Sequence, residues 1–324
     1  MGGIHRVGVI GLGVIGQRML TNMPKQGRLA IAGAWDLRAE ARAAAAEAFP
    51  DVPIAESAEA LIGDAGTDCV YIGVPPGAHG VYARAAVAAG KAVFCEKPLG
   101  VDLAESRALV ALVEAAGRPQ AVNLSLAAAR GTAAMREALA TGALGAVAGA
   151  DIRLRFAHWP RLWQGQARWL AGRAEGGFTR EVATHFLYLA EALFGPGRLV
   201  GADARYPAPD GAESHVLARL DFGGVPVTLA GSSGGAGADL IEFTLWGQAR
   251  SFRLTDFYRL WASDGAGWEP VFPEIAEPPL DAYMRQLDAL VRLLDGDAGA
   301  LPDFRAALRV QELVEAILAG PAEG

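Results

Sequence analysis

Residues 11–16 read Gly-Leu-Gly-Val-Ile-Gly, directly after an apolar, β-branched run at 4–10 and at the head of a helical pattern at 14–23. Glycine at this spacing, between a strand and a helix, lets bare backbone meet a phosphate. Gly11 permits the tight turn, Gly13 the close approach of a pyrophosphate, and Gly16 the packing of helix on strand. Val14 and Ile15 contribute the first N–H groups of the helix, where the dipole favours negative charge. Asp36 closes the next apolar run, at 29–35. A carboxylate there suits the ribose hydroxyls of a dinucleotide and favours NAD. Arg38, two positions on, could instead take the 2′-phosphate of NADP.

Two more apolar runs end in residues able to do chemistry. Val74-Pro75-Pro76 follows one, with His79 at the start of a helical pattern at 78–89. Cys95-Glu96-Lys97-Pro98 follows the other. Proline holds the preceding lysine in extended backbone rather than helix. Further on, Glu181 and His185 stand at i and i+4 of a helical pattern at 175–194. That spacing puts a carboxylate and an imidazole on one helix face.

Residues 11–16, Pro75-Pro76 with His79, and Glu96-Lys97-Pro98 together resemble the Gfo/Idh/MocA family of oxidoreductases. Gly142-Ala143-Leu144-Gly145 and Gly176-Gly177 ahead of the His185 helix extend the resemblance over most of the chain. The resemblance implies a nicotinamide cofactor on the first domain. It also implies that Lys97 reaches cofactor and substrate and that Glu181 and His185 belong to the site. In such a site His185 handles the hydroxyl proton, and Lys97 stabilises charge on the oxygen while hydride moves.

The chain departs from the family pattern in two places. Ala183 replaces a usual glycine two positions before His185, and Glu181 replaces a usual aspartate. After 120–124 the chain reads Ser125-Leu126-Ala127-Ala128-Ala129, with Ala127 where the family commonly has arginine. A polar wall is missing, which points from polyols toward a less polar carbonyl, alcohol or imine. Trp159, Trp163 and Trp169 cluster beside Arg161 and Arg168. They are expected either to form a flat substrate wall with an anion-binding arginine, or to be a packed loop. Thr184, next to His185, is a further candidate for substrate contact.

Those residues need elements to position them. Apolar runs alternating with helical patterns up to about 122 give a doubly wound parallel sheet, a Rossmann domain at 1–122. A short strand near 53–55 is expected among them. From 123 to 324 the pattern is α+β. Strands at 148–156, 215–222, 225–230, 240–246 and 250–256 form a mostly antiparallel open sheet, and helices follow at 280–294 and 302–318. A ligand site is expected between the two, at the carboxyl ends of the parallel strands.

Composition bounds the rest. A chain of 324 residues with 52% hydrophobic residues has apolar surface for two cores. Its net charge of −7, without a basic tract, argues against nucleic acid and anionic membranes as partners. With 2 cysteines and no Cys-x-x-Cys, neither a disulfide framework nor a structural metal is expected. Cys69 and Cys95 read as small buried core residues. The apolar run after His5 and Arg6 is too glycine-rich for a signal peptide, so a cytoplasmic location is expected. The open sheet leaves a face for a homodimer or homotetramer. Two other functions remain open: a hydrolase or lyase that retains NAD and oxidises transiently, and a non-catalytic dinucleotide binder.

Overall fold

The computed structural model describes residues 2–297 and 301–320. The chain divides into two compact units.

The first unit comprises Met1–Leu124 and Tyr283–Leu308. Its elements are β1 (His5–Ile10), α1 (Val14–Asn22), β2 (Leu29–Trp35), α2 (Ala39–Ala48), α3 (Ala58–Gly63), β3 (Cys69–Ile72), α4 (His79–Ala88), β4 (Ala92–Cys95), α5 (Leu103–Ala116) and β5 (Gln120–Val122). The strands form one parallel sheet in the order β2-β1-β3-β4-β5. β3 and β4 are buried along their whole length, as strands covered on both faces must be. The strand expected near 53–55 is reduced to an isolated bridge, Ala34 to Ile54. Pro53 has no N–H to give a ladder, and the run is too short to continue one. Helix ends follow local chemistry. Asp102 accepts the N–H of Glu105 to start α5, and Gly117, at φ 61°, ends it in the left-handed region.

The second unit comprises Ser125–Ala282 and Arg309–Gly324. It starts with a 3-10 turn at Ser125–Ala128 and then α6 (Arg130–Ala140) and β6 (Val147–Phe156). A single π-turn, Thr179–Ala183, runs into α7 (Thr184–Phe194). There follow β7 (Gly197–Arg205), β8 (His215–Phe222), β9 (Val225–Ser233), β10 (Leu240–Gly247), β11 (Ser251–Thr255), β12 (Arg259–Ser263) and β13 (Glu269–Pro270). The sheet order is β13-β12-β11-β10-β6-β9-β8-β7; only β6–β9 is parallel. β8 alternates exposed and buried positions along its length, so at β8 one face packs a core and the other is left open, whereas β10 is buried on both faces over residues 242–245.

Three findings differ from the sequence reading. The expected division of the chain at 122/123 is crossed: Tyr283–Leu308 returns to the first unit. β7, β12 and β13 are not anticipated by the sequence pattern; β7 and β13 are edge strands, β7 without a fully buried position and β13 only two exposed residues, so neither carries the apolar alternation of a packed strand. The helix expected at 175–194 becomes regular α-helix only at Thr184.

The two cysteines sit wholly buried on β3 and β4. Burial pushes the Cys69 thiol up to about 12 and raises Cys95 as well, so both are inert packing residues.

Candidate functional site: a glycine loop, a lysine turn and a histidine helix

In the first unit, the loop between β1 and α1 is shaped by its glycines. Gly11 has φ 98°, and a Cβ there would meet the Gly73 carbonyl oxygen at 2.3 Å. A Cβ on Gly16 would lie 1.9 Å from the Gly11 oxygen. Gly13 is different: nothing stands within 4 Å of the Cβ position, and it is the N-cap of α1 with no side-chain cap. The helix start is thus an open cradle of backbone N–H groups, which fits a pyrophosphate. Val14 is exposed and Ile15 half-buried at its rim. Asp36 braces the loop from β2, its Oδ2 accepting the Leu12 N–H at 2.8 Å. Its Oδ1 accepts from the main-chain N–H of Arg38 at 2.9 Å and from Arg38 Nε at 3.3 Å. The Arg38 side chain is 56% exposed.

Lys97 lies in a turn at the carboxyl end of β4 and is half-buried. The Lys97–Pro98 peptide is cis. The turn is braced on both sides. Upstream, Glu96 Oε1 accepts the Tyr71 hydroxyl at 2.6 Å and the Asn123 side-chain amide. Asn123 in turn accepts from Gln286 Nε2 at 2.6 Å. Downstream, His79 is fully buried. Its Nδ1 lies 2.9 Å from the Pro98 oxygen and its Nε2 2.8 Å from the Val74 oxygen. Burial lowers the His79 pKa, against the pull of those carbonyls. His79 and Glu96, both expected at the cofactor, also hydrogen-bond within the protein on either side of the lysine turn. Pro75 is exposed and Val74 half-buried where β3 ends. Asn123 and Gln286 carried no sequence signal, since they belong to no motif and lie far apart in the chain.

In the second unit, His185 sits in the first turn of α7, 7% exposed. The Phe257 ring meets it edge-on, at 5.4 Å between centroids and 88° between planes. Glu181 lies in the π-turn, so the two residues do not share the uninterrupted α-helix that the i, i+4 reading assumed. Glu181 Oε1 accepts Gln164 Nε2 at 3.0 Å and lies 3.7 Å from Arg161. The π-turn is anchored by Glu213, buried and accepting both the N–H and the hydroxyl of Thr179 at 2.7 Å. Gly177, at φ 97°, leaves room for that carboxylate, which a Cβ would strike at 2.0 Å.

The tryptophan-rich segment divides by role. Trp159 donates its indole N–H to the Leu170 oxygen at 2.9 Å and packs on Phe156 and Phe178. These contacts anchor it in the loop, where it stays half-buried. Trp163 is 49% exposed, with the Arg161 guanidinium 4.8 Å from its ring centre. That guanidinium already faces Glu181, which offsets the positive charge expected to receive an anion. Trp169 is half-buried on the 3-10 turn Arg168–Ala171, Arg168 is exposed, and Thr184 is buried. Among the described residues, no group of His, Cys, Asp or Glu could hold a metal ion, and no helix is long and apolar enough to cross a membrane.

Comparison with known proteins gives two family matches. The oxidoreductase family with an NAD-binding Rossmann fold matches residues 5–124, and the GFO/IDH/MocA C-terminal domain matches residues 132–253. Inositol 2-dehydrogenase 1 of Saccharopolyspora erythraea is 42% identical over 103 residues, which are 31% of this chain and 30% of that protein. The match thus spans under a third of that relative's length. Trans-1,2-dihydrobenzene-1,2-diol dehydrogenase of Macaca fascicularis is 32% identical over 162 residues, 48% of each chain. Among solved structures, an oxidoreductase from Agrobacterium radiobacter in complex with NAD+, L-tartaric acid and magnesium superposes with TM-score 0.80 at 21% identity. That match covers 96% of this chain and 94% of the other.

Proposed function

Because the chain belongs to the GFO/IDH/MocA oxidoreductase family, we propose that it is a nicotinamide-dependent dehydrogenase or reductase acting on a small molecule. The observation that carries this reading is the cradle at Gly13, open above the N-terminus of α1 while backbone closes tightly at Gly11 and Gly16. A nicotinamide cofactor, when bound, accepts or gives a hydride at its C4 carbon. Gly11, Gly13, Val14, Ile15 and Gly16 would hold its pyrophosphate, with Val74 and Pro75 alongside. Asp36 would take the adenosine ribose, which supports NAD as the preferred cofactor; Arg38 is the residue that would serve NADP.

The chemistry left to the protein is one proton and one developing charge. In oxidation, a carbinol carbon loses hydride while its hydroxyl proton passes to His185. Lys97 stabilises the oxygen as it gains negative character. In reduction of a carbonyl or imine the same groups act in reverse. His79, Glu96, Asn123 and Gln286 act through Lys97 as positioning residues, and Arg161 with Gln164 does the same for Glu181. Trp163 is the most exposed of the three tryptophans of its segment and the first candidate among them to meet a substrate, ahead of the half-buried Trp159 and Trp169.

The dehydrogenases matched by sequence act, by their names, on an inositol and on a dihydrobenzene diol. Ala127, buried where the family pattern commonly has arginine, supports the less hydroxylated kind of substrate. We also propose a cytoplasmic location and assembly as a homodimer or homotetramer; the assembly is supported by exposed sheet positions such as Leu217, 63% exposed, and Trp246, 38% exposed. Titration with NADH and NADPH, read by nicotinamide fluorescence and thermal shift, tests the function. NADH is expected to bind the tighter; binding of neither, by a protein shown to be free of cofactor, would refute the proposal.

A further inference from the structure

The turn that joins β11 to β12 holds two consecutive non-glycine residues in the left-handed region, Asp256 at φ 49° and Phe257 at φ 67°. Aspartate tolerates that backbone. A bulky aromatic residue rarely adopts it, and where one does, the surrounding structure must fix it there. In this chain the conformation delivers a ring to His185. Phe257 stands edge-on to the imidazole, and its other neighbours are Phe186 at 5.3 Å and Tyr258 at 5.9 Å between centroids. It remains half-buried rather than enclosed.

The Tyr258 hydroxyl donates to Ser125 Oγ at 2.8 Å. Ser125 opens the 3-10 turn Ser125–Ala128, which packs against α7 and continues into buried Leu126 and Ala127. The flank of His185 is therefore aromatic on the hairpin side. A polyol hydroxyl turned onto the Phe257 ring would lose water and find no hydrogen-bond partner in that ring.

We propose that Phe257 is a specificity-determining residue, an apolar wall beside His185 that selects a secondary alcohol, ketone or imine carried on a hydrocarbon ring over a polyhydroxylated one. The proposal rests on the oxidoreductase reading above. In the oxidative direction the ring carbinol gives its C–H hydride to NAD+ and its O–H proton to His185. The products are the ring ketone and NADH.

The test compares 1-indanol and cyclohexanol with myo-inositol, each with NAD+, after NADH binding has been established by fluorescence. Appearance of NADH is followed at 340 nm. The two ring alcohols are expected to exceed myo-inositol in kcat/KM at least tenfold. Phe257→Gly and Phe257→Asn both tolerate the left-handed backbone and so leave the turn intact. Each is expected to lower that preference at least tenfold, mainly through the KM of the ring alcohols, with NADH affinity kept. Phe257→Tyr retains the ring and should restore the preference. An NADH-binding protein that favours myo-inositol, or oxidises neither class, overturns the proposal. So does a preference unchanged in Phe257→Gly. Failure to bind NADH or NADPH would overturn the underlying reading instead.

Discussion

The glycine loop and the His185 helix solve the same problem, placing atoms for chemistry, by opposite means. The loop is held by backbone. Gly11 and Gly16 have main-chain atoms within 2.3 Å of where a Cβ would stand, and the one carboxylate involved, Asp36, bonds a main-chain N–H. The helix is held by side chains. Glu213 caps the π-turn, Arg180 ties it to Glu315 at 2.7 Å, and Glu191 ties α7 to Arg309 at 2.6 Å. A backbone cradle suits a ligand whose phosphates do not change. A scaffold of side chains can be altered residue by residue, which suits the part of an enzyme that must choose a substrate.

The largest effects should come from the two groups assigned to the chemistry itself. Lys97→Ala and His185→Ala are each expected to lower turnover by about 10²–10⁴-fold, with NADH affinity changed little. Equal turnover in either variant, measured at saturating NAD+, would remove that residue from the mechanism. The glycines should then divide sharply. Gly16→Ala forces backbone apart and should cost about 1–3 kcal/mol of stability, measured by thermal and urea unfolding. Gly13→Ala meets nothing in the protein and should leave the melting temperature alone while weakening NADH binding. If both variants behaved alike, the contrast between closed and open glycines would fail.

The same contrast governs what the amino-acid sequence discloses. Gly11, Gly13 and Gly16 are legible because strand, turn and helix follow one another and the constraint is local. Lys97 is legible for the same reason, lying just past β4 with proline behind it. The braces of that lysine are not: Gln286 reaches Asn123 from a helix formed 163 residues later. Asn123 and Gln286 look like any polar residues until the fold joins them. In the second unit the π-turn shifts Glu181 out of the α-helical register that periodicity supplies. Trp159 and Trp163 are equivalent in sequence, yet one is hydrogen-bonded inside the loop and the other half-exposed. Phe257 gave no sign, because nothing in Thr-Asp-Phe-Tyr-Arg announces left-handed backbone.

A middle-sized effect sharpens the comparison inside the first unit. Gln286→Leu would leave the buried Asn123 oxygen without its donor, at a cost of about 1–3 kcal/mol in unfolding free energy. If Lys97 is positioned through Glu96 and Asn123, kcat should also fall while the KM for NAD+ stays constant. A loss of stability with kcat intact would make the network structural only.

The smallest effect is one of pH, and it belongs to the side-chain scaffold. Burial raises the Glu213 pKa, against the two bonds from Thr179 that lower it. The folded protein therefore holds this proton more tightly than the unfolded chain does. The resulting stability is complete below the unfolded carboxylate value of about 4.3, and it is lost as pH rises through the raised folded value. Glu213→Gln has no proton to lose, and its amide oxygen can still accept from Thr179. Unfolding free energy measured across the mildly acidic range should thus fall less with rising pH in Glu213→Gln than in the wild type. Parallel curves would mean that Glu213 titrates alike in both states. Gly13→Ala, which adds one methyl group and leaves Asp36 and Glu213 in place, should run parallel to the wild type throughout, so the two variants together place this pH sensitivity on the helix that carries His185.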